Sequence, residues 1–284
     1  MISYGVAVHG GVGSPEEFSD GCKAACEAAI LMLEPGGNAL DAAIEAARIM
    51  EDDGRFNAGS GSALRIDGKT IEMDAAVMDS EGNMGAVINI RGVKNPVLVA
   101  RAVLGTPHVA MAGRGAEAFA RRLGFEPYYN ISKRALEAFE ETKNNLKNED
   151  PFWAEAKISG SDTIGAVVLD KNGVFAVAVS TGGAAPMMVG RVGDTPMPGC
   201  GFYAGPLGAV AVTGLGEESI RKMLAKTVYD LFMAAEDMDA QAACEKGLSL
   251  FQTHMKMGIL ALTKNDSGVA ATNRMAKYSI IRAV

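Results

Sequence analysis

Apolar and polar positions along the chain follow two periods, and the switches between them mark out the elements. Residues 4–11, YGVAVHGG, read as a strand ending in a glycine turn; from 21 to 33 the period lengthens, with Cys22, Ala25, Cys26, Ala29 and Leu33 at helical spacing. Pro35, Gly36 and Gly37 stop that helix, and Asn38 is placed to cap a second one whose apolar face carries Leu40, Ala43, Ile44 and Ala47. The two predict a packed helix pair. Strand-like TIEMDAAVMD (70–79) and MGAVINIRG (84–92) follow, then a helix-rich stretch from about Val97 to Leu123. Residues 127–162 are charged and polar and read as a linker. Beyond it DTIGAVVLD (162–170) and VFAVAVST (174–181) are β-branched apolar runs joined through Lys171-Asn172-Gly173, whose Asn-Gly pair predicts a hairpin. A glycine-rich loop, a strand GAVAVTG (208–214), two helices between about Glu217 and His254, and a closing hairpin over 258–275 turning at Asp266-Ser267-Gly268 complete the pattern. Hairpins at both ends of the part after the linker favour antiparallel sheets packed with helices outside, an α+β arrangement, over a regular βαβ series.

Composition narrows the classes. With 48% apolar residues in 284, the chain can bury a large core. No run approaches the roughly 18 uncharged apolar residues of a membrane helix, and the start MISYGVAVHGG lacks the features of a signal peptide, so the expectation is a cytoplasmic chain. Cys22, Cys26, Cys200 and Cys244 match no zinc spacing and read as reduced core thiols. A formal charge of −7 without a basic cluster argues against nucleic acid or anionic membrane and points to a small-molecule partner. Glycines cluster at element ends, in HGGVG, NAGSGS, STGGAA, GRVGD, PGCGFYAG and TGLGE, where they let backbone approach a ligand closely.

Taken alone, Thr163 reads as a strand residue, because threonine suits a pleated surface. It also opens a buried strand directly after Gly160-Ser161-Asp162 at the end of a polar stretch. A threonine hydroxyl is a poor nucleophile until a base takes its proton, and a free α-amine with a pKa of roughly 7.7–8.0 is a suitable base. Only cleavage of the Asp162–Thr163 bond would supply that amine.

The order of HGGVG (9–13), RFNAGSGSAL (55–64), EMDAAVMD (72–79), GAVINIRGVKNPVLVAR (85–101), DTIGAVVLD, STGG (180–183), GRVGDTPMPGCGFYA (190–204) and TGLGE (213–217) resembles the plant-type L-asparaginase and isoaspartyl peptidase family. These are threonine N-terminal-nucleophile hydrolases, to which glycosylasparaginase also belongs. The resemblance implies a four-layer αββα sandwich in one domain over 1–284, self-cleaved into 1–162 and 163–284, with two cleaved units paired as a dimer of heterodimers. It implies that Asp162–Thr163 is the cleavage site, Thr163 the nucleophile, and Thr181 its supporting hydroxyl. Thr213 and Gly214 would form the oxyanion hole, and Asn57 would stand close to the nucleophile. Arg191 and Asp194 would hold the α-carboxylate and α-amino group of an aspartyl substrate, with Gly216 lining the pocket. Read without the resemblance, Thr181 ends a strand, Asn57 forms a turn, and Arg191 with Asp194 makes a surface salt bridge.

No catalytic metal is implied. In some members backbone carbonyls before FNAG bind a structural sodium ion, and MEDDGRFNAG (50–59) could do the same. His9, His108 and His254 read as structural, the last two in helical segments. Where many members have glycine before the nucleophile this chain has Asp162, as glycosylasparaginase and some archaeal-type asparaginases do, which bears on the choice of substrate; Leu215 replaces a polar residue and 184–189 is apolar, both of which bear on the leaving-group side. The activity implied is hydrolysis of L-asparagine and of β-aspartyl peptides, with glycosylasparagine cleavage as the alternative. A phosphate- or nucleotide-binding enzyme is disfavoured by the lack of GxxxxGK[ST] and of a strand–GxGxxG–helix unit. An inactive binding protein on the same scaffold stays open.

Overall fold

The computed structural model describes residues 3–145, 162–185, 187–234 and 238–283. The Asn172-Gly173 turn forms as expected, with Gly173 at φ +84°, and joins β5 (Ile164–Leu169) to β6 (Phe175–Thr181) in antiparallel register from Ile164↔Ser180 to Leu169↔Phe175. Five further strands, β1 (Ser3–Val12), β2 (Met73–Asp79), β3 (Met84–Ile90), β4 (Ala110–Ala112) and β11 (Met275–Ala283), extend this hairpin into a seven-stranded sheet. Its order is β11-β1-β5-β6-β2-β3-β4, antiparallel throughout except for the β3–β4 pair. A second, antiparallel sheet has the order β10-β9-β8-β7, formed by β7 (Phe202–Gly205), β8 (Gly208–Gly214), β9 (Met257–Thr263) and β10 (Ser267–Ala271).

Strands β5, β6 and β8 are buried at every position, which is why they read as continuous apolar runs and not as alternating ones. Helices α1 (Ser19–Leu33), α2 (Ala39–Asp52) and α3 (Pro96–Val103) pack on the seven-stranded sheet, Cys22, Ala43, Ala47 and Val97 sharing a core with Val6, Val8 and Val168. Asn38 caps α2 as the sequence predicts, its side chain accepting from the Asp41 N–H. Val167, Val177 and Val179 instead join Phe202, Ala211 and Leu260 of the second sheet. Period-two alternation turns Val210 and Val212 to the opposite face of β8, where they meet α7 (Leu224–Ala234) and α8 (Ala240–Leu248) through Leu224, Val228 and Cys244. Each such fully buried Val or Leu contributes about 1.5–3 kcal/mol relative to exposure. The result is an α+β fold.

The structure corrects several expectations. The segment read as a linker contains a helix, α5 (Lys133–Asn145), docked through buried Ala135; residues 146–161 lie outside the described residues, as does Pro186 of the 184–189 stretch. A short α4 (Gly113–Arg122) follows β4 in the stretch read as helix-rich. Three helices, not two, occupy 216–248, because Met223 takes φ +46° and separates α6 (Gly216–Lys222) from α7. The closing hairpin turns between Thr263 and Ser267, slightly earlier than expected, and the chain then continues as β11. His108 and His254 stand exposed in loops and not in helices. Among the described residues no helix is long and apolar enough to cross a membrane.

Candidate active site

The β5–β6 register sets the centre of the site. Ile164 pairs with Ser180, so the next residue outward on each strand, Thr163 and Thr181, meet at the end of the hairpin, and the Thr163 hydroxyl donates to the Thr181 hydroxyl at 3.3 Å. Both are buried. Thr181 Oγ1 also accepts from the Gly183 N–H at 3.0 Å, which fixes the hydroxyl and leaves the lone pairs of Thr163 Oγ1 uncommitted to it. From the second sheet Thr213, at the end of β8, accepts the Thr163 backbone N–H at 3.2 Å and that of Val12 at 3.2 Å. Thr181 of β6 therefore meets the hydroxyl of Thr163, and Thr213 of β8 its backbone nitrogen. Gly214 follows at φ +130°, packed so tightly on β9 that a Cβ would stand 2.2 Å from the Lys256 carbonyl oxygen.

Asn57 makes no hydrogen bond to Thr163; it braces the loop beside it. Its Nδ2 donates to the Gly183 carbonyl at 2.5 Å, its Oδ1 accepts from Ala63 N–H at 2.8 Å, and its own carbonyl accepts from Gly182 N–H at 2.9 Å. Arg65, which the sequence reading missed, braces the same loop from below: it is fully buried, reaches the Gly182 carbonyl at 3.2 Å and pairs with Glu72 at 3.1 Å. Burial pushes the Glu72 carboxyl up, but the Gly190 N–H at 2.7 Å together with Arg91 and Arg65 holds it below its ordinary range. Glu72 thus ties the Gly182–Gly183 loop to Gly190 and so to Arg191.

Arg191 and Asp194 converge on Gly216. A Cβ on that glycine would lie 2.8 Å from Asp194 Oδ1 and 3.2 Å from Arg191 Nη2. Arg191 is not free: Nε and Nη2 make a bidentate pair with Glu217, both at 2.8 Å, a partner that the sequence reading also missed although it sits in the quoted TGLGE. Asp194 is buried, its Oδ2 has no hydrogen-bond partner among the described residues, and burial pushes its pKa up to about 6. An unmatched buried carboxylate oxygen beside a guanidinium suits a zwitterion carrying both an ammonium and a carboxylate. Gly216 stands three residues after Thr213, so at most about 10 Å of chain separates this pair from the threonine cluster.

Asp162 sits half-buried against HGGVG. Gly11 and Gly13 both take positive φ, and a Cβ on Gly11 would stand 2.6 Å from Asp162 Cα. Its carboxylate pairs with Arg134 of α5 at 3.4 Å, and Arg134 also donates to the Gly61 carbonyl at 3.1 Å. His9, opposite Gly165 on β1, is buried and held neutral, its pKa lowered to about 4 by burial; the Thr163 backbone draws it back only partly, and neither ring nitrogen meets a partner at hydrogen-bonding geometry.

Glu51, at the end of α2, is a further buried carboxyl that the sequence did not single out; it accepts from Ser180 Oγ at 2.6 Å and from Val97 N–H at 3.0 Å. A cavity of about 230 Å³ lined by Gly59, Lys69, Arg91, Tyr128 and Tyr129 touches none of the expected catalytic or substrate-binding residues. Among the described residues no cluster of three or more His, Cys, Asp or Glu is arranged to hold a metal ion.

A family model described as Asparaginase matches residues 3–283. The chain is 40% identical over 296 aligned residues to a plant-type L-asparaginase of Pyrococcus horikoshii, covering 98% of this chain and 96% of that one. It is 42% identical over 275 residues to an isoaspartyl peptidase/L-asparaginase of Danio rerio, covering 93% and 87% respectively. A plant-type L-asparaginase of Thermococcus kodakarensis is 39% identical over 298 residues, covering 98% and 96%.

Proposed function

The chain belongs to the asparaginase family, and we infer that it is an amidohydrolase that converts L-asparagine to L-aspartate and ammonia and also cleaves β-aspartyl peptides. The observation that carries this reading is the set of contacts at Thr163: a neighbouring hydroxyl on Thr181 and a second threonine on the nitrogen that would become the base.

The chemistry starts with self-cleavage. Thr163 Oγ attacks the Asp162 carbonyl carbon, the C–N bond breaks as an ester forms, and water opens the ester to leave 1–162 and 163–284. The freed amine of Thr163 then takes the proton from its own hydroxyl. Oγ attacks the side-chain carbonyl of the substrate, whose developing oxyanion is met by donors at Thr213 and Gly214; one such donor is typically worth about 2.7–4 kcal/mol in the transition state. The amine returns the proton to the leaving nitrogen, and ammonia or a peptide amine departs. Water then releases aspartate from the acyl-enzyme. Through both halves Arg191 holds the α-carboxylate and Asp194 the α-ammonium, with Glu217 orienting the guanidinium and Gly216 leaving room for the pair.

Finer features belong to the same proposal. The three cores, one between sheets and one under each helical layer, support a four-layer αββα sandwich of the N-terminal-nucleophile type. Four free, buried cysteines support a cytoplasmic setting. The structural sodium site over 50–59 rests on the resemblance. The dimer of cleaved heterodimers rests on the resemblance alone.

The test is intact mass under denaturing conditions during incubation, followed by ammonia release from asparagine and from β-aspartyl dipeptides. Two fragments divided at Thr163 together with turnover support the reading. A chain that stays whole and releases nothing overturns it.

A further inference from the structure

The hydrolase reading puts the nucleophile and the proton donor for the leaving group on one residue, Thr163. The leaving group must therefore depart next to the Thr163 nitrogen, which is the place Asp162 occupies in the uncut chain. What surrounds Asp162 is what a leaving group would meet.

Those surroundings are cationic in a chain whose net charge is −7. Arg134 pairs directly with the Asp162 carboxylate. Lys256 and Arg274, from two other segments, also bear on it electrostatically, and among the described residues neither forms an ion pair of its own. The Lys256 backbone carbonyl accepts from Leu215 N–H at 3.1 Å, which places that residue beside Gly214, and the Arg274 side chain donates from Nε to the Gly13 carbonyl at 3.1 Å. On the remaining side Gly11 and Gly13 pack their bare backbone against Asp162, where a Cβ on either would stand within 3.0 Å of it.

Cleavage changes the charge in this slot. Asp162 becomes a chain end with a second carboxylate on the same residue, and two like charges crowded into a half-buried slot repel each other. Departure of that end leaves three cations facing the space where the substrate's leaving group lies. Ammonia, the leaving group from asparagine, gains nothing from them. The amino acid released from a β-aspartyl dipeptide carries a free α-carboxylate one carbon from its leaving nitrogen, and it would meet all three.

We propose that Arg134, Lys256 and Arg274 form a leaving-group subsite that binds the free α-carboxylate of a β-aspartyl dipeptide. The subsite is first filled by the carboxylate of Asp162, so the same cations serve the precursor and the mature enzyme in turn. A charge-assisted contact to such a carboxylate is worth enough, about 1.5–3 kcal/mol, to separate two substrates by about tenfold or more.

The experiment uses protein whose cleavage has run to completion by intact mass. kcat/KM is measured at low salt for β-aspartyl-alanine and for β-aspartyl-alanine amide, which differ only in that carboxylate, with asparagine alongside. The subsite predicts at least a tenfold preference for the free acid, reduced by added salt and shrinking toward one in Lys256→Gln. Equal kcat/KM for acid and amide overturns the subsite and leaves the hydrolase reading intact, whereas turnover of asparagine with neither dipeptide cleaved overturns the subsite together with the β-aspartyl peptidase half of that reading and leaves the asparaginase half. Failure to turn over all three substrates overturns the hydrolase reading itself.

Discussion

The hydroxyls of Thr163 and Thr181 stand 3.3 Å apart at the open end of one hairpin, brought there by a turn eight residues further along each strand. Their contact is a consequence of antiparallel register: a one-residue slip would send one of the two to the opposite face of the sheet.

Replacing Thr163 tests the centre of the proposal. Thr163→Ala removes the hydroxyl and is expected to remain a single chain with no hydrolytic activity, whereas Thr163→Ser keeps an attacking oxygen and is expected to be cut. Intact mass and ammonia release read both; an active Thr163→Ala protein ends the nucleophile assignment.

Arg191 separates maturation from substrate binding. Arg191→Ala is expected to cleave itself as before, because Asp162 does not touch the guanidinium, while KM for asparagine rises by about tenfold or more on loss of a charge-assisted contact. Arg191→Lys is expected to recover little, since an ammonium cannot reproduce the bidentate pair with Glu217. Unchanged KM in Arg191→Ala removes Arg191 from the substrate site.

Glu51 makes stability pH-dependent. Burial raises its pKa from 4.5 to about 8, against the opposing hydrogen bonds from Ser180 and Val97. Between those two values the folded chain keeps a proton that the unfolded chain has lost, so folding stability falls as pH rises through this window. The Tm of the wild type is expected to drop more steeply than that of Glu51→Gln from about pH 5 to about pH 9. Parallel curves would show that the carboxyl titrates normally.

Two glycines with the same backbone angle separate strain from crowding. Gly11 and Gly36 both take φ +98°, but a Cβ on Gly11 meets the Asp162 backbone whereas one on Gly36 meets nothing within 4 Å. Gly36→Ala is expected to cost only stability, about 1–3 kcal/mol, with self-cleavage unaffected. Gly11→Ala carries the same strain and also displaces the scissile peptide, so fragments are expected to appear about tenfold more slowly or not at all. Equal cleavage rates in the two variants would mean that HGGVG does not position Asp162.

What the sequence discloses here is local chemistry. Asn172-Gly173 specifies a turn and Asn38 a helix start, and both elements stand where expected, because the residues that decide them are neighbours in the chain. Strand β11 was missed because its MAKYSIIRA mixes lysine and serine with apolar residues, as an edge strand half open to water does. Helix α5 lies among so many charged residues that only the buried face around Ala135 marks it. In the site, Thr163, Thr181 and Thr213 were readable through quoted motifs, whereas the pairing of Arg65 with Glu72, and of Glu51 with Ser180, was not, although Glu51, Glu72 and Ser180 themselves stand in quoted motifs. A partner 129 residues away, as Ser180 is from Glu51, leaves no trace in spacing.

The strand order β11-β1-β5-β6-β2-β3-β4 interleaves the two predicted fragments: β1 to β4 come from before Thr163, and β5, β6 and β11 from after it. A cut at that point would leave two polypeptides woven through one hydrogen-bonded sheet, joined across the β11–β1, β1–β5 and β6–β2 ladders. Folding would then have to come before scission, and scission would turn an intramolecular assembly into one that depends on two chains finding each other. Mature protein, once unfolded and diluted, would recover slowly or not at all, while the uncut Thr163→Ala chain would refold at any concentration. The molecule would be easiest to make once, and hardest to remake.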